Sequence, residues 1–551
     1  MIKARAAGDA GLLLDTDLPP AWLAAAIERA ALPGVVDVIP GAATVLVLTG
    51  NDAAGFAELA ATIAALPVAE PASDAAAVIE IPVRYDGADL ADVAALTGLS
   101  VAEVIAAHAS GLYTVGWLGF SPGFGYLRGL DQRLSRVPRL ATPRLAVPAG
   151  SVAIAAGLAA VYPRVSPGGW RLLGQTTVRM WDQDREPAAL LTPGRHVRFV
   201  AESRHRASRS PGPDAPKRPG DAVPPSAVPP SAANGPYLEV IKPGPLATVQ
   251  DLGRPGRGAI GVPPSGAADP VSLIAANRLV GNPGGSAGIE LTLGRAVFRC
   301  HGDLVVAVTG APATVAVDRA TGTEPAPVGF GTRVEAPDGS VVSVGAPTTG
   351  LRCYVAVAGG IAVPAVLGSR SADLLSDLGG GPLRPGAALP VGADAAVVGQ
   401  AASAGGGAGN AAVGGVAARD VPGTGTLIIG RDGVAELRVI GGPRLDWFES
   451  DALDRLCSGV YTVTPASNRT GLRLDGPQMR RSSDAELPSE GLVTGALQVP
   501  RDGLPILLLA DHPTVGGYPV IAVVVRADIG VAAQLRPGAR LRFTAIPLAA
   551  P

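Results

Sequence analysis

Two stretches of this 551-residue chain pass the same three landmarks in the same order. "GSVAIA" (150–155), "VSPGGW" (165–170) and "PGRHVRF" (193–199) are echoed by "GALQVP" (495–500), "TVGGYP" (514–519) and "PGARLRF" (537–543). The outer landmarks lie 43 residues apart in the first set and 42 in the second. A repeat of that size predicts one β-module used twice. It also predicts that the double glycines Gly168–Gly169 and Gly516–Gly517 occupy equivalent turns. Between the two sets lies "ESRHRASRSPGPDAPKRPGDAVPPSAVPPSAANGP", Pro-, Ser- and Arg-rich with almost no large apolar residue. Such a segment cannot bury enough surface to fold and reads as a linker over 202–236.

The linker divides the chain into a half of 1–201 and a half of 237–551. The first opens with helical periodicity at 21–32 and 53–66, a strand at 43–49 and another at 78–87. Two helices follow within 89–110, where Ser100 and Glu103 fit a capping box. We therefore expect a small α/β domain over 1–85 and a β-rich domain over 86–201. Short β runs between Gly/Pro turns fill the second half, interrupted by a Gly-rich flexible loop at 401–420.

Composition excludes several functions. Net charge is −2, so there is no electrostatic footprint for nucleic acid. No apolar run reaches the roughly 20 residues of a membrane helix. The start lacks a signal-peptide pattern, so a cytoplasmic protein is expected. The three cysteines, Cys300, Cys353 and Cys457, have no zinc-ligand spacing and read as buried thiols. Only three residues are lysine, none in a P-loop, so anion recognition falls to arginine forks.

Candidate site residues gather in turns. "YTVGWLGFSPGFGYLRGL" (113–130) sets five aromatic residues among glycines. Phe120, Gly123, Phe124 and Tyr126 form either a tightly turned barrel corner or a ligand wall. His108 stands just upstream at a helix end. "VPAGSVAIAAGLAAVYPRVSPGGWRLLGQT" (147–176) adds Ser151, Gly168, Gly169 and Arg171; Ala153 excludes a G-x-S-x-G nucleophile elbow. In the second half Gln250, Arg370, Arg469, Glu490, Asp511, His512, Thr514, Gly516, Gly517 and Tyr518 sit beside glycines, on loops where small-molecule sites often lie.

These runs carry a family resemblance. Through "IEIPVRYDG", "LGFSPGFGYLRGL", "ATPRLAVPAGSVAIA" and "VYPRVSPGGWRLLGQT", the first half resembles allophanate hydrolase subunit 1, also described as a kinase inhibitor and as the B-type subunit of 5-oxoprolinase. Through "IKPGPLATVQDLGRPG", "SGAADPVSLIAANRLVGN", "VAGGIAVPAVLGSRS" and "SEGLVTGALQVPRDGLPILLLADHPTVGGYP", the second resembles allophanate hydrolase subunit 2, or the C-type subunit of 5-oxoprolinase. The resemblance implies a mainly β, α+β chain with cyclophilin-like β-barrel modules in both halves. It implies kinship with the carboxyltransferase domain of urea carboxylase, in a fusion of two subunits. Three positions depart from the family pattern: Gly125 for Pro, Asn468 for Asp and Val515 for Thr.

What the resemblance implies of function is ATP-dependent opening of 5-oxo-L-proline to glutamate with a separate LamB/YcsF-type subunit. Transfer of a carboxyl group to a urea- or amide-like substrate is the alternative. No biotinyl-lysine motif is present, so biotin would have to arrive in trans. Inhibition of a histidine kinase is a third reading. For the first, His108 and His512 are the candidates for proton transfer, Arg469 and Arg171 for anion binding, and Asp511 for orientation. Ser151 and Thr514 would supply hydrogen bonds to a small amide or lactam. A homo-oligomer is compatible with the sequence.

Overall fold

The computed structural model describes residues 2–50, 55–69, 78–202, 235–319, 326–392, 432–483 and 485–548. The 401–420 loop and nearly all of the expected linker lie outside the described residues. Four bodies are built from the rest.

At the N-terminus, strands Ile2–Ala6, Gly11–Thr16, Thr44–Thr49 and Val35–Pro40 form an antiparallel sheet in that spatial order. Helices Pro20–Ala30 and Phe56–Ala64 cover one face, where Leu12, Leu14, Val45 and Val47 meet Leu23, Ile27 and Phe56. Because every pairing is antiparallel, the domain is α+β rather than the expected α/β. The runs "LLL" and "TVLVL" are apolar on both faces, as a sheet covered on both sides requires. Leu13 and Leu46, on the opposite face, pack with Trp117 of the next body and with Leu492, Val515 and Val523 of the last. Each such side chain contributes about 1.5–3 kcal/mol when withdrawn from water.

Next comes a seven-stranded sheet in the order Arg171–Gln175, Ser151–Ala155, Leu158–Val161, Gly125–Arg128, Tyr113–Leu118, His196–Ala201, Ile79–Val83. Arg84 and Gln175 exchange two backbone hydrogen bonds of 2.9 Å and join its two edges. Ile79–Val83 runs parallel to His196–Ala201, so it is a barrel strand and the expected domain boundary at residue 85 moves ahead of it. Helices Leu90–Thr97 and Val101–Ala109 pack on this barrel, the second opened by the Ser100–Glu103 capping box.

Residues 237–392 lie outside the barrel module of the second half. They form two facing sheets, of six and five strands, around Leu238, Ile289, Phe298, Val306 and Val355. A seven-stranded barrel closes only over 434–545, in the order Val434–Gly441, Val520–Val524, Ala496–Gln498, Ile506–Leu508, Gly471–Asp475, Tyr461–Val463, Arg540–Ala545.

The two seven-stranded bodies share one topology. Taken in chain order, the first strand of each lies parallel to the last, and every other pairing is antiparallel. Each carries a two-stranded side ribbon: Arg144–Val147 with Ser166–Gly168, and Glu490–Gly491 with Val515–Gly516. The double glycines end these ribbons in both copies. All three cysteines are free, Cys300 and Cys353 buried and Cys457 half-buried.

Candidate functional site

The aromatic run folds into a cluster at the mouth of the first barrel. Trp117 and Tyr126 stack at 4.7 Å, Phe120 meets Phe124 edge-on at 5.3 Å, and Phe124 meets Trp170 at 5.8 Å. Phe120 takes φ +66°, a left-handed conformation that bulky residues rarely adopt. The turn is the tightly wound corner open in the sequence, and its aromatic side chains also face a cavity. Phe120, Phe124 and Tyr126 line a cavity of about 300 Å³ with Tyr162, Trp170 and Gly168–Gly169. Phe120, Tyr126 and Arg139 also line a second cavity of about 580 Å³, whose far wall holds Gly516, Gly517 and Tyr518. One cleft thus runs between the two barrels with a double glycine at each end.

The first glycine of each pair is the more crowded one, most of all Gly168. A Cβ on Gly168 would lie 2.2 Å from the Tyr162 hydroxyl, and one on Gly516 would lie 2.8 Å from Gln498 and Leu492. The second glycines are freer: the nearest atom to a Cβ on Gly169 is 3.7 Å away. Both ends of the cleft are therefore walled by bare main chain, which can offer N–H groups to a carbonyl oxygen.

Cations supply the charge. Among the described residues Arg139 has no acid partner. Arg481 lies over the Trp447 ring at 5.8 Å and donates to the Ala485 carbonyl. Arg501 meets Glu486 at 3.3 Å where both are exposed, a weak pair. An aromatic wall, main-chain donors and guanidinium groups without strong acid partners suit a small planar amide that carries an anionic group.

Beneath the wall formed by Pro513 and Val515 lies a buried ionic cluster joining the second barrel to the sandwich. Arg469 donates to Asp511 through Nε (2.8 Å) and Nη2 (2.9 Å), to Glu290 (2.6 Å) and to the Gly266 carbonyl (2.6 Å). Ser265, held at φ +52°, donates to Asp511 at 2.7 Å. The Tyr354 hydroxyl donates to Glu290 at 2.8 Å, and Arg352 lies 3.4 Å from the same carboxylate. Burial pushes the Glu290 carboxyl up, but Arg469 and Arg352 outweigh it and hold it below the usual range. Burial also disfavours the Arg469 cation, yet Glu290 and Asp511 keep it charged. Arg469 and Asp511 are thus together, as a clamp on the 511–518 loop.

His512 follows Asp511 and is buried, its Nδ1 2.8 Å from the Pro513 carbonyl and its Nε2 3.2 Å from the Thr494 hydroxyl. The carbonyl fixes Nδ1 as the protonated nitrogen and leaves Nε2 to accept from Thr494. Burial lowers its pKa, so it holds the loop as a neutral ring. His108 lies apart, in the core of the first barrel. Its ring sits 4.5 Å from Phe199 and its Nδ1 2.7 Å from the Tyr85 hydroxyl. Burial takes its pKa down to about 3. A neutral core histidine is a packing group, not a proton carrier for the cleft.

The remaining candidates scatter. Arg171 lies on the outer flank, 3.5 Å from Asp92. Gln250 is buried in the sandwich and donates to Thr248 and to the Ala372 carbonyl. Arg370 donates from its backbone to Asp251 and from its side chain to the Val363 carbonyl. Glu490 meets Arg444 at 2.7 Å beneath the N-terminal sheet, and burial raises its carboxyl to about 7. Ser151 and Thr514 have buried hydroxyls with no partner among the described residues. Gly123, at φ +76°, donates its N–H to the Ile260 carbonyl and fastens the aromatic turn to the second half.

Tyr162 and Trp170 lie within the run 147–176 already marked in the sequence, but the sequence does not single out Arg139, Arg481 and Arg501. The arginines lie in plain turns ("VPRL", "RRSS", "PRDG") that share no spacing. Only the fold brings them to one cleft.

Comparison with known proteins places these parts in a family. The family description "Carboxyltransferase domain, subdomain C and D" matches residues 7–191, and "Carboxyltransferase domain, subdomain A and B" matches residues 260–545. The C-type 5-oxoprolinase subunit of Escherichia coli (strain K12) is 34% identical over 309 residues, 56% of this chain and 90% of that protein. The B-type 5-oxoprolinase subunit of Escherichia coli O157:H7 is 41% identical over 209 residues, 35% of this chain and 94% of that protein. Urea amidolyase of Lachancea kluyveri is 32% identical over 323 residues, 56% of this chain but 17% of that protein. The crystal structure of TTHA0988 superposes with a TM-score of 0.78 at 32% identity, over 99% of this chain and 100% of that one. The chain belongs to the carboxyltransferase-domain family and joins a half similar to the B-type subunit of 5-oxoprolinase to a half similar to the C-type.

Proposed function

We propose that this chain supplies the B-type and C-type components of an ATP-dependent 5-oxoprolinase, working with a separate LamB/YcsF-type subunit to open 5-oxo-L-proline to L-glutamate. The observation that carries this reading is the cleft itself. Its larger arm is lined by both halves, and the two halves are similar to proteins named as subunits of 5-oxoprolinase. In this reading the lactam ring lies against Phe120, Tyr126 and Tyr518, and its carboxylate meets the Arg139 fork. The main chain at Gly168–Gly169 and Gly516–Gly517 faces the amide carbonyl, where negative charge grows as the bond is attacked. Arg469, Asp511 and His512 hold the 511–518 loop in place, and neither His512 nor His108 is given a proton-transfer step. Phosphate groups of ATP would lie in the arm that holds Arg481 and Arg501, beside Glu486 and Asp502.

A second reading rests on the urea amidolyase relationship. A carboxyl group would be delivered to an amide in the same cleft by biotin borne on another protein. Purified chain mixed with the LamB/YcsF-type subunit, ATP and 5-oxoproline decides the matter. Glutamate and ADP should form together, and an Arg139→Ala variant should raise KM for 5-oxoproline about tenfold or more with a smaller change in kcat. Absence of both products under these conditions would overturn the reading.

A further inference from the structure

The duplication provides a comparison inside the molecule. In the second module the ribbon strand Glu490–Gly491 is covered by the N-terminal sheet. Ala42 donates its N–H to the Ser489 carbonyl at 2.7 Å, and a Cβ on Gly491 would lie 2.4 Å from Leu46. In the first module the matching strand, Arg144–Val147, has no such cover. In the ribbon register Arg144 pairs with Gly168 as Glu490 pairs with Gly516, so Leu145 matches Gly491. Gly491 is buried, whereas Leu145 is 92% exposed. No other large apolar side chain among the described residues exceeds 54%. Pro138, Pro143, Ala146 and Pro148 around it are exposed as well.

Charge distinguishes this patch from the rest of the surface. From 128 to 171 the chain carries seven arginines and one acid, Asp131, although the net charge of the whole chain is −2. Asp131 is taken by Arg133 at 2.8 Å, and Arg144 and Arg171 pair with Asp89 and Asp92 from outside the segment at 2.7 and 3.5 Å, but Arg136 and Arg139 have no acid partner among the described residues. Two copies meeting through this patch across a twofold axis would set its arginines against their own equivalents, which costs binding energy. A partner with an apolar pocket and an acidic rim would meet neither penalty.

We propose that the open edge Arg144–Val147, centred on Leu145, is the docking surface for a separate protein subunit with an apolar pocket rimmed by acidic residues. That protein would cover the first module as the N-terminal sheet covers the second. An exposed strand edge offers main-chain hydrogen bonds, and Leu145 offers an anchor. Arg139 and Pro143 belong to the same segment and also line the cleft. A partner seated here therefore closes the mouth of the site from the side the chain leaves open. The proposal rests on the proposed function only in assuming that a separate subunit exists.

The test is titration of full-length chain with the LamB/YcsF-type subunit by biolayer interferometry, at low and at high NaCl. Leu145→Asp should weaken binding about tenfold or more. Arg136→Glu should weaken it at low salt and flatten the salt dependence. Leu96→Asp, at a helix position 54% exposed and outside the patch, should bind within about twofold of wild type. Thermal unfolding should show all three variants folded. Wild-type binding by Leu145→Asp overturns the docking surface and leaves the proposed function standing. If wild-type chain ignores the LamB/YcsF-type protein and is instead a dimer that Leu145→Asp dissociates, the occupant is a second copy and the proposal is wrong. If it ignores that protein and is a monomer, the docking proposal and the separate-subunit reading fall together.

Discussion

Replacing Arg469 by alanine would strand two carboxylates in the interior. The guanidinium makes two bonds to Asp511, one to Glu290 and one to a carbonyl, and both acid side chains are 1% exposed. Removing one partner of a buried ion pair costs about 3–5 kcal/mol. Glu290 would keep Arg352 and Tyr354, and Asp511 would keep Ser265, so the second stranded charge adds little and about 4 kcal/mol is expected in all. At about 2–4 °C per kcal/mol for a body of this size, the transition of the second half should fall by roughly 8–16 °C. The pH dependence identifies the cause. In the wild type the folded pKa of Glu290 lies below its unfolded value, so its contribution is full above the ordinary carboxyl range and is lost as pH falls through the folded pKa. In the variant, burial prevails and the folded pKa rises above the unfolded one, so acidification relieves the stranded charge. Calorimetry should therefore show the gap between wild type and variant widest near neutral pH and narrowing toward about pH 5. A transition within about 2 °C of wild type, or a gap constant across that range, would refute the reasoning.

Three further outcomes follow from geometry already described. Gly168→Ala forces a methyl into the Tyr162 hydroxyl and should lose about 1–3 kcal/mol in denaturant unfolding, whereas Gly169→Ala should be nearly neutral. His108, with a folded pKa near 3 against an unfolded value near 6.5, stabilises fully above about pH 6.5 and progressively less below it. Between pH 6.5 and 5 the wild type should lose about 2 kcal/mol more than a His108→Gln variant, a difference that urea titration at several pH values reads directly. Tyr518→Ala, at an exposed position on the cleft wall, should leave thermal stability within about 0.5 kcal/mol while raising KM in the 5-oxoproline assay.

The repeated module was legible because its landmarks are backbone requirements. Gly168 leaves room for the Tyr162 ring and hydroxyl where a Cβ would stand, and the final "RHVRF" and "ARLRF" strands pair with the first strand of each barrel. Periodicity also placed the four helices of the first half within a few residues but missed Pro270–Val280 in the second half. It could not assign Ile79–Val83, because a strand looks the same whichever sheet receives it, and its partner lies more than a hundred residues downstream. Nor could it separate the sandwich of 237–392 from a barrel, since both are short strands between Gly/Pro turns. In the site, Arg469 and Asp511 were found as charges beside glycines, but their pairing and burial were invisible. His108 misled for a similar reason: a histidine at a helix end reads alike whether it faces water or Phe199.

The cover that the N-terminal sheet gives the second barrel also sets a timetable. Leu13, Ile39 and Leu46 bury their outer face against residues 492–523, and Arg526 donates to the Thr49 carbonyl across 477 positions of chain. On a ribosome adding about 5–20 residues per second, that face waits roughly 25–100 s for its counterpart to emerge. The first barrel closes once residue 201 is made, but the domain ahead of it must hold an apolar face open until nearly the whole chain has been translated. The nascent chain should accordingly lean on holding chaperones through its N-terminal sheet, and truncation before residue 492 should leave that sheet the most aggregation-prone part of the product.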